Sequence, residues 1–158
     1  MSELLADKVI RKIDEAAELY HRLVILAAPA GAGKTAALQD VHERSGAPLV
    51  NVNLELSRRL LDLSERQRAL QVPRLLAEIV EATATDVMLL DNIEVLFDVS
   101  LKQDPLRLLQ GLSRNTTVVA AWSGAVDGEH LVYARPGHPE YRRYPIQDLL
   151  LVTSEEPA

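Results

Sequence analysis

Apolar residues recur along the chain at two periods. Residues 2–20 carry Leu5, Val9, Ile13, Ala17 and Tyr20 at helical spacing with charged residues between them, which predicts an amphipathic helix. Residues 23–28 form a short unbroken apolar run, as in a strand buried on both faces. A second helix is predicted from about Gly33 to Ser45-Gly46, where glycine suits the C-terminal position, and Pro48 leads into a strand at 49–53. Residues 55–83 are helical in composition but interrupted. There, Ser64-Glu65-Arg66-Gln67 reads as a capping box and Pro73 as the first turn of a further helix. Another buried strand is predicted at 86–91, a helix capped by Asp104-Pro105 and running to about Arg114, and a β-branched strand at 116–122. Segments 130–135 and 140–144 flank Pro136-Gly137-His138-Pro139, which predicts a β-hairpin or a compact rigid loop, and a final strand is placed at 149–152. Strands alternating with helices imply right-handed crossovers and a mostly parallel sheet covered on both faces.

One segment carries chemistry. Ala28-Pro29-Ala30-Gly31-Ala32-Gly33-Lys34-Thr35 follows a predicted buried strand and opens a predicted helix, the setting of a phosphate-binding loop. The strict pattern starts with glycine, and Ala28 stands there instead. Small residues let backbone N–H groups curl around phosphates, and the helix dipole adds positive potential. This predicts nucleotide contacts from Pro29, Ala30, Gly31, Ala32, Gly33, Lys34, Thr35 and Ala36. Lys34 is expected on the β- and γ-phosphates and the Thr35 hydroxyl on Mg²⁺. Val87-Met88-Leu89-Leu90-Asp91, an apolar strand ending in an acid, matches a Walker B strand with Asp91 placed to support the metal. The cofactors expected are therefore ATP and Mg²⁺.

With one strand and helices between the two motifs, the chain resembles the additional-strand division of P-loop NTPases, which includes the AAA+ and RecA-like ATPases. The fold expected is a three-layer α/β P-loop NTPase core, with a mostly parallel five-stranded sheet flanked by helices and no separate lid domain. It is read as a single domain over 1–158: an N-terminal helix at 1–20, the phosphate loop to the sensor strand at 23–123, and a hairpin and last strand at 130–152. No Asn-Lys-x-Asp guanine motif is present, which argues against a GTPase.

The general base departs from that division's pattern. The position after Asp91, where most such ATPases carry glutamate, is Asn92. Two carboxylates remain, Glu94 (favoured) and Glu55 near the end of the second predicted strand; either must reach the attacking water. Ser123 follows the strand where a sensor residue would meet the γ-phosphate or the water, or it simply begins a Ser-Gly turn. Trp122 reads as core.

Composition narrows the classes. The 158 residues suit one domain; no cysteine is present, which excludes a disulfide scaffold, a thiol nucleophile and a Cys-ligated zinc site. No apolar run approaches the roughly 20 residues of a membrane span, and the N-terminus lacks the apolar core of a signal peptide, so a cytoplasmic location is expected. A formal net charge of −6 argues against bulk coating of nucleic acid, although arginine dominates the 17 basic residues and leaves local contacts open. Residues 130–145 concentrate tyrosine, proline, histidine and arginine, the composition of interface anchors. Arg135, Arg142 and Arg143 are candidates for an arginine finger completing a neighbouring copy's site, against the plain alternative of a solvated hairpin. A homo-oligomer is the partner state this implies.

Three runs together are similar to a narrower family: residues 91–97 (Asp91-Asn92-Ile93-Glu94-Val95-Leu96-Phe97), Asp104-Pro105-Leu106-Arg107-Leu108-Leu109 with Ser113-Arg114-Asn115, and the tail from Tyr133 to Tyr141. They resemble the small BrxF-like P-loop ATPases of type 3 BREX (bacteriophage exclusion) systems. That resemblance implies a bacterial cytoplasmic ATPase acting with larger defence-system proteins. Two other functions stay open: a nucleotide-gated binding module with little hydrolysis, and a small-metabolite kinase.

Overall fold

The computed structural model describes residues 4–83 and 85–153. In chain order its helices and strands are α1 (Leu5–Ala16), β1 (Leu23–Ala28), α2 (Lys34–Ser45), β2 (Leu49–Asn51), α3 (Val52–Leu60), α4 (Glu65–Glu81), β3 (Val87–Asp91), α5 (Pro105–Leu112), β4 (Thr117–Asp127), β5 (His130–Tyr133), β6 (Arg142–Pro145) and β7 (Leu150–Thr153). Two 3₁₀ turns, Ile93–Phe97 and Val99–Leu101, lie between β3 and α5.

Five parallel strands run in the order β2-β3-β4-β1-β7. Strand β1 is apolar at every position, and β3 and β4 are nearly so up to Asp91 and Trp122, because helices cover both faces, and their side chains divide by period two. Val24, Leu26, Leu89, Val119 and Ala121 pack under α1 and α2. Ile25, Ala27, Met88, Leu90, Val118, Ala120 and Trp122 pack under α3, α4 and α5. The result is three layers, an α/β core with a mostly parallel sheet flanked by helices.

Several boundaries differ from the pattern read in the sequence. The first helix stops at Ala16; Leu19 and Tyr20 are exposed beyond it, and residues 2 and 3 lie outside the described residues. The second strand ends at Asn51, whose side chain accepts the N–H of Leu54 at 3.0 Å and so caps α3 instead of extending the strand. Pro73 does not begin a helix. Helix α4 runs through it from the Ser64 capping box, where the Ser64 hydroxyl accepts the N–H of Gln67 at 3.2 Å and the Gln67 side chain accepts that of Ser64 at 2.9 Å.

The sheet also has seven strands, not five. Strand β4 runs for eleven residues, well past Ser123, and its distal half pairs antiparallel with β5, which pairs with β6. Gly124 permits this. A Cβ there would sit 2.0 Å from the Val132 carbonyl oxygen and 2.8 Å from Trp122 Nε1, while that Nε1–H donates to the same carbonyl at 3.0 Å. Gly124→Ala is therefore expected to cost about 3 kcal/mol by forcing β5 away, read as a lower denaturant midpoint. A midpoint equal to that of the unsubstituted protein would show that the strand pair yields freely.

Candidate functional site

The carboxyl ends of β1, β3 and β4 converge, since Ala28 pairs with Ser123 across β1 and β4 and β3 ends at Asp91 beside them. This is the side of an open α/β sheet on which ligands settle. A cleft of about 370 Å³ lies there, lined by Ala30, Gly31, Gly33, Lys34, Thr35, Ala36, Asp91, Asn92, Glu94 and Ser123. A larger cleft of about 500 Å³ at the opposite ends of the strands, lined by Ile10, Ala47, Pro48 and Val87 among others, holds none of these groups.

The loop between β1 and α2 takes its shape from two left-handed glycines, Gly31 at φ +82° and Gly33 at φ +94°. A side chain at either position would be strained, so glycine is required for the turn and not only for space. Helix α2 starts immediately after Gly33, which directs its unpaired N–H groups toward the cleft. Pro29 and Ala32 belong to the loop without lining the cleft; the Ala32 N–H donates to the Pro29 carbonyl at 3.2 Å.

Lys34 is 8% exposed, and its ammonium donates to the carbonyls of Ala28 and Pro29 at 2.9 Å each. Burial holds its pKa below the usual 10.5, while the carboxylates of Glu94 and Asp91 pull it back up. The Thr35 hydroxyl donates to Asp91 Oδ2 at 2.7 Å across 56 residues of chain, and Asp91 Oδ1 accepts the N–H of Asn92 at 2.9 Å. Asp91 is itself 6% exposed.

Asn92 adopts a left-handed conformation, φ 55° and ψ 50°, which asparagine tolerates better than glutamate does. The chain turns there out of β3 into the 3₁₀ turn, whose Ile93, Leu96 and Phe97 are buried. That turn carries Glu94 back over the strand ends. Ser123 Oγ donates to Glu94 Oε1 at 2.9 Å, and Glu94 Oε2 is buried with no hydrogen-bond partner.

The other candidates lie elsewhere. Glu55 sits in α3, not at a strand end, is paired with Arg59 at 3.0 Å and Arg58 at 3.6 Å, and does not line the cleft. Arg142 donates to the Gln103 carbonyl at 2.7 Å, and Arg143 meets His130 Nδ1 at 3.1 Å. Arg135 is exposed in the loop between β5 and β6 and does not line the cleft of its own chain. Trp122 is fully buried, as expected. Asn92 lines the cleft without having been singled out as a contact; its only signal was that it follows the strand-ending Asp91.

No protein-family model matches the chain, and no curated protein does. Among solved structures it matches one of C. elegans PCH-2 at a TM-score of 0.44 and 12% identity, over 98% of this chain and 41% of that one. The chain thus spans less than half the length of that protein, and a likeness this loose carries no argument about function.

Proposed function

We propose that this chain binds Mg²⁺–ATP in the cleft at the ends of β1, β3 and β4 and hydrolyses it. The observation that supports this most is the bond between the Thr35 hydroxyl and Asp91 Oδ2. It joins the first turn of a glycine-loop helix to an acid at the end of the neighbouring buried strand, and two hard oxygen atoms so placed suit Mg²⁺ beside a phosphate chain. When bound, Mg²⁺ would neutralise charge developing on the phosphates, held by Thr35 and supported by Asp91.

The residues have separable tasks in this reading. Loop N–H groups and Lys34 hold the phosphates, and for that the ammonium exchanges the Ala28 and Pro29 carbonyls for phosphate oxygens. Glu94 is the base: its unpartnered Oε2 takes a proton from water as the water oxygen bonds to the γ-phosphorus. The bond from that phosphorus to the β–γ bridging oxygen breaks, and ADP leaves. Ser123 holds the other oxygen of Glu94. Glu94 is preferred over Glu55, which is paired with Arg58 and Arg59, and exposed Arg135 is offered to a neighbouring copy in a homo-oligomer in preference to Arg142 and Arg143, which are engaged within the chain. The setting in a phage-defence system, alongside larger proteins, rests on the residue runs described from the sequence.

Steady-state ATP hydrolysis at rising protein concentration, with molar mass measured alongside, tests the activity. The expected result is Mg²⁺-dependent release of phosphate whose rate per chain rises as copies assemble. ATP bound but never hydrolysed at any concentration would instead identify a nucleotide-gated binding module.

A further inference from the structure

Behind the cleft, the side chains that hold Glu94 continue into the terminal hairpin. Glu94 and Phe97 are three apart in a 3₁₀ turn, so they share one face of it. The Phe97 ring stacks on Tyr133 with centroids 3.6 Å apart and planes 16° from parallel. Both rings meet Trp122 edge-on, Phe97 at 5.0 Å and Tyr133 at 6.3 Å, and Tyr144 meets it at 5.9 Å. Tyr133 pairs with Gly124, the residue after Ser123. The hairpin therefore braces both partners of the Glu94–Ser123 bond, one through the stack and the other through strand register.

The brace is itself anchored. The Tyr144 hydroxyl donates to Asp104 Oδ1 at 2.9 Å, and Arg142 donates to the Gln103 carbonyl, so β6 is fastened to the segment that opens α5. Burial, with the charges of Glu140 and Glu94 close by, pushes the Tyr133 hydroxyl up to about 12. It stays neutral at physiological pH, and its ring is free to serve packing.

We propose that Phe97 and Tyr133 are positioning residues for Glu94, and that their stack couples the nucleotide cleft to the β5–β6 hairpin. The inference rests on the reading of the cleft as an Mg²⁺–ATP site. It adds that whatever moves the hairpin moves the carboxylate, and that filling the cleft disturbs the hairpin in turn.

Trp122, the single tryptophan, lies inside this cluster and reports on it without any label. Mg²⁺–ATP is expected to change its emission in the unsubstituted protein. In Tyr133→Leu, which loses the flat ring, that nucleotide-dependent change is expected to vanish. ATP affinity should stay within about threefold while kcat falls about tenfold or more, since a base held loosely misses the water. Tyr133→Phe keeps the ring and should restore both signals. Should Tyr133→Leu fail to fold, Tyr133→Met, which fills more of the space without a planar face, carries the same expectation.

An emission change and a kcat equal to those of the unsubstituted protein in a folded Tyr133→Leu would overturn the coupling. So would equal losses in Tyr133→Phe and Tyr133→Leu, which would assign the effect to the hydroxyl and not the stack. The fluorescence arm needs binding alone. Absence of turnover in every variant therefore contradicts the hydrolytic reading of the cleft, while an ATP-induced change that depends on the ring still supports the coupling.

Discussion

Lys34→Ala is expected to weaken ATP binding at least a hundredfold, equivalent to about 2.7 kcal/mol. The ammonium is the one cation lining the cleft among the described residues, and nothing else there replaces its charge on a phosphate. Titration of each protein with ATP in excess Mg²⁺ measures the loss, and an affinity equal to that of the unsubstituted protein would move the phosphates elsewhere.

A stability gain should accompany that loss when the side chain's bulk is kept. Burial lowers the folded-state pKa of Lys34 below 10.5, so at neutral pH the folded protein carries a charge it holds less readily than the unfolded chain does. Lys34→Met removes this cost and should melt at a higher temperature. The cost fades as pH rises: between the lowered value and 10.5 the unfolded chain binds more protons, so the Lys34 protein gains stability through that window. The gap to Lys34→Met should narrow over that window. A gap that widens would mean that the carbonyl bonds at Ala28 and Pro29 outweigh desolvation.

Glu94→Gln is expected to lower ATP turnover by about two to four orders of magnitude with affinity within about threefold. The amide keeps the size of the side chain and can still accept the Ser123 hydroxyl, but it cannot take a proton from water. Comparing kcat with ATP affinity separates the two effects. Unchanged turnover would remove Glu94 as the base and leave the observed Ser123 bond as a structural tie.

The glycine loop between β1 and α2 was legible because its geometry is local. Gly31 and Gly33 supply left-handed backbone, Lys34 and Thr35 open a helix, and the preceding residues 23–28 are apolar throughout, all within one short window. Strand β3 ending at Asp91 was legible for the same reason, because doubly covered strands are written as continuous apolar runs. The bond between Thr35 and Asp91 spans 56 residues and depends on strand order, which local pattern does not encode.

What the sequence hid follows from tertiary context. Glu55 stood as the second choice to Glu94 as long as residues 49–53 read as one strand; the Asn51 cap starts α3 early and turns Glu55 onto Arg58 and Arg59. The run through residue 122 gave no sign that β4 continues, because its distal half alternates weakly and contains Gly124. That glycine suggests a turn in sequence, yet in the fold it lets β5 approach. Proline at 73 suggested a helix start, but packing of Val72, Leu75 and Leu76 carries α4 across it.

Occupancy of the cleft by Mg²⁺–ATP is measured by equilibrium binding of radiolabelled ATP to the full chain, with Mg²⁺ and with a chelator. The expected result is one saturable site per chain, weakened at least about tenfold when Mg²⁺ is removed and weakened further by Lys34→Ala. Failure to saturate, or binding that ignores both Mg²⁺ and Lys34, would contradict it.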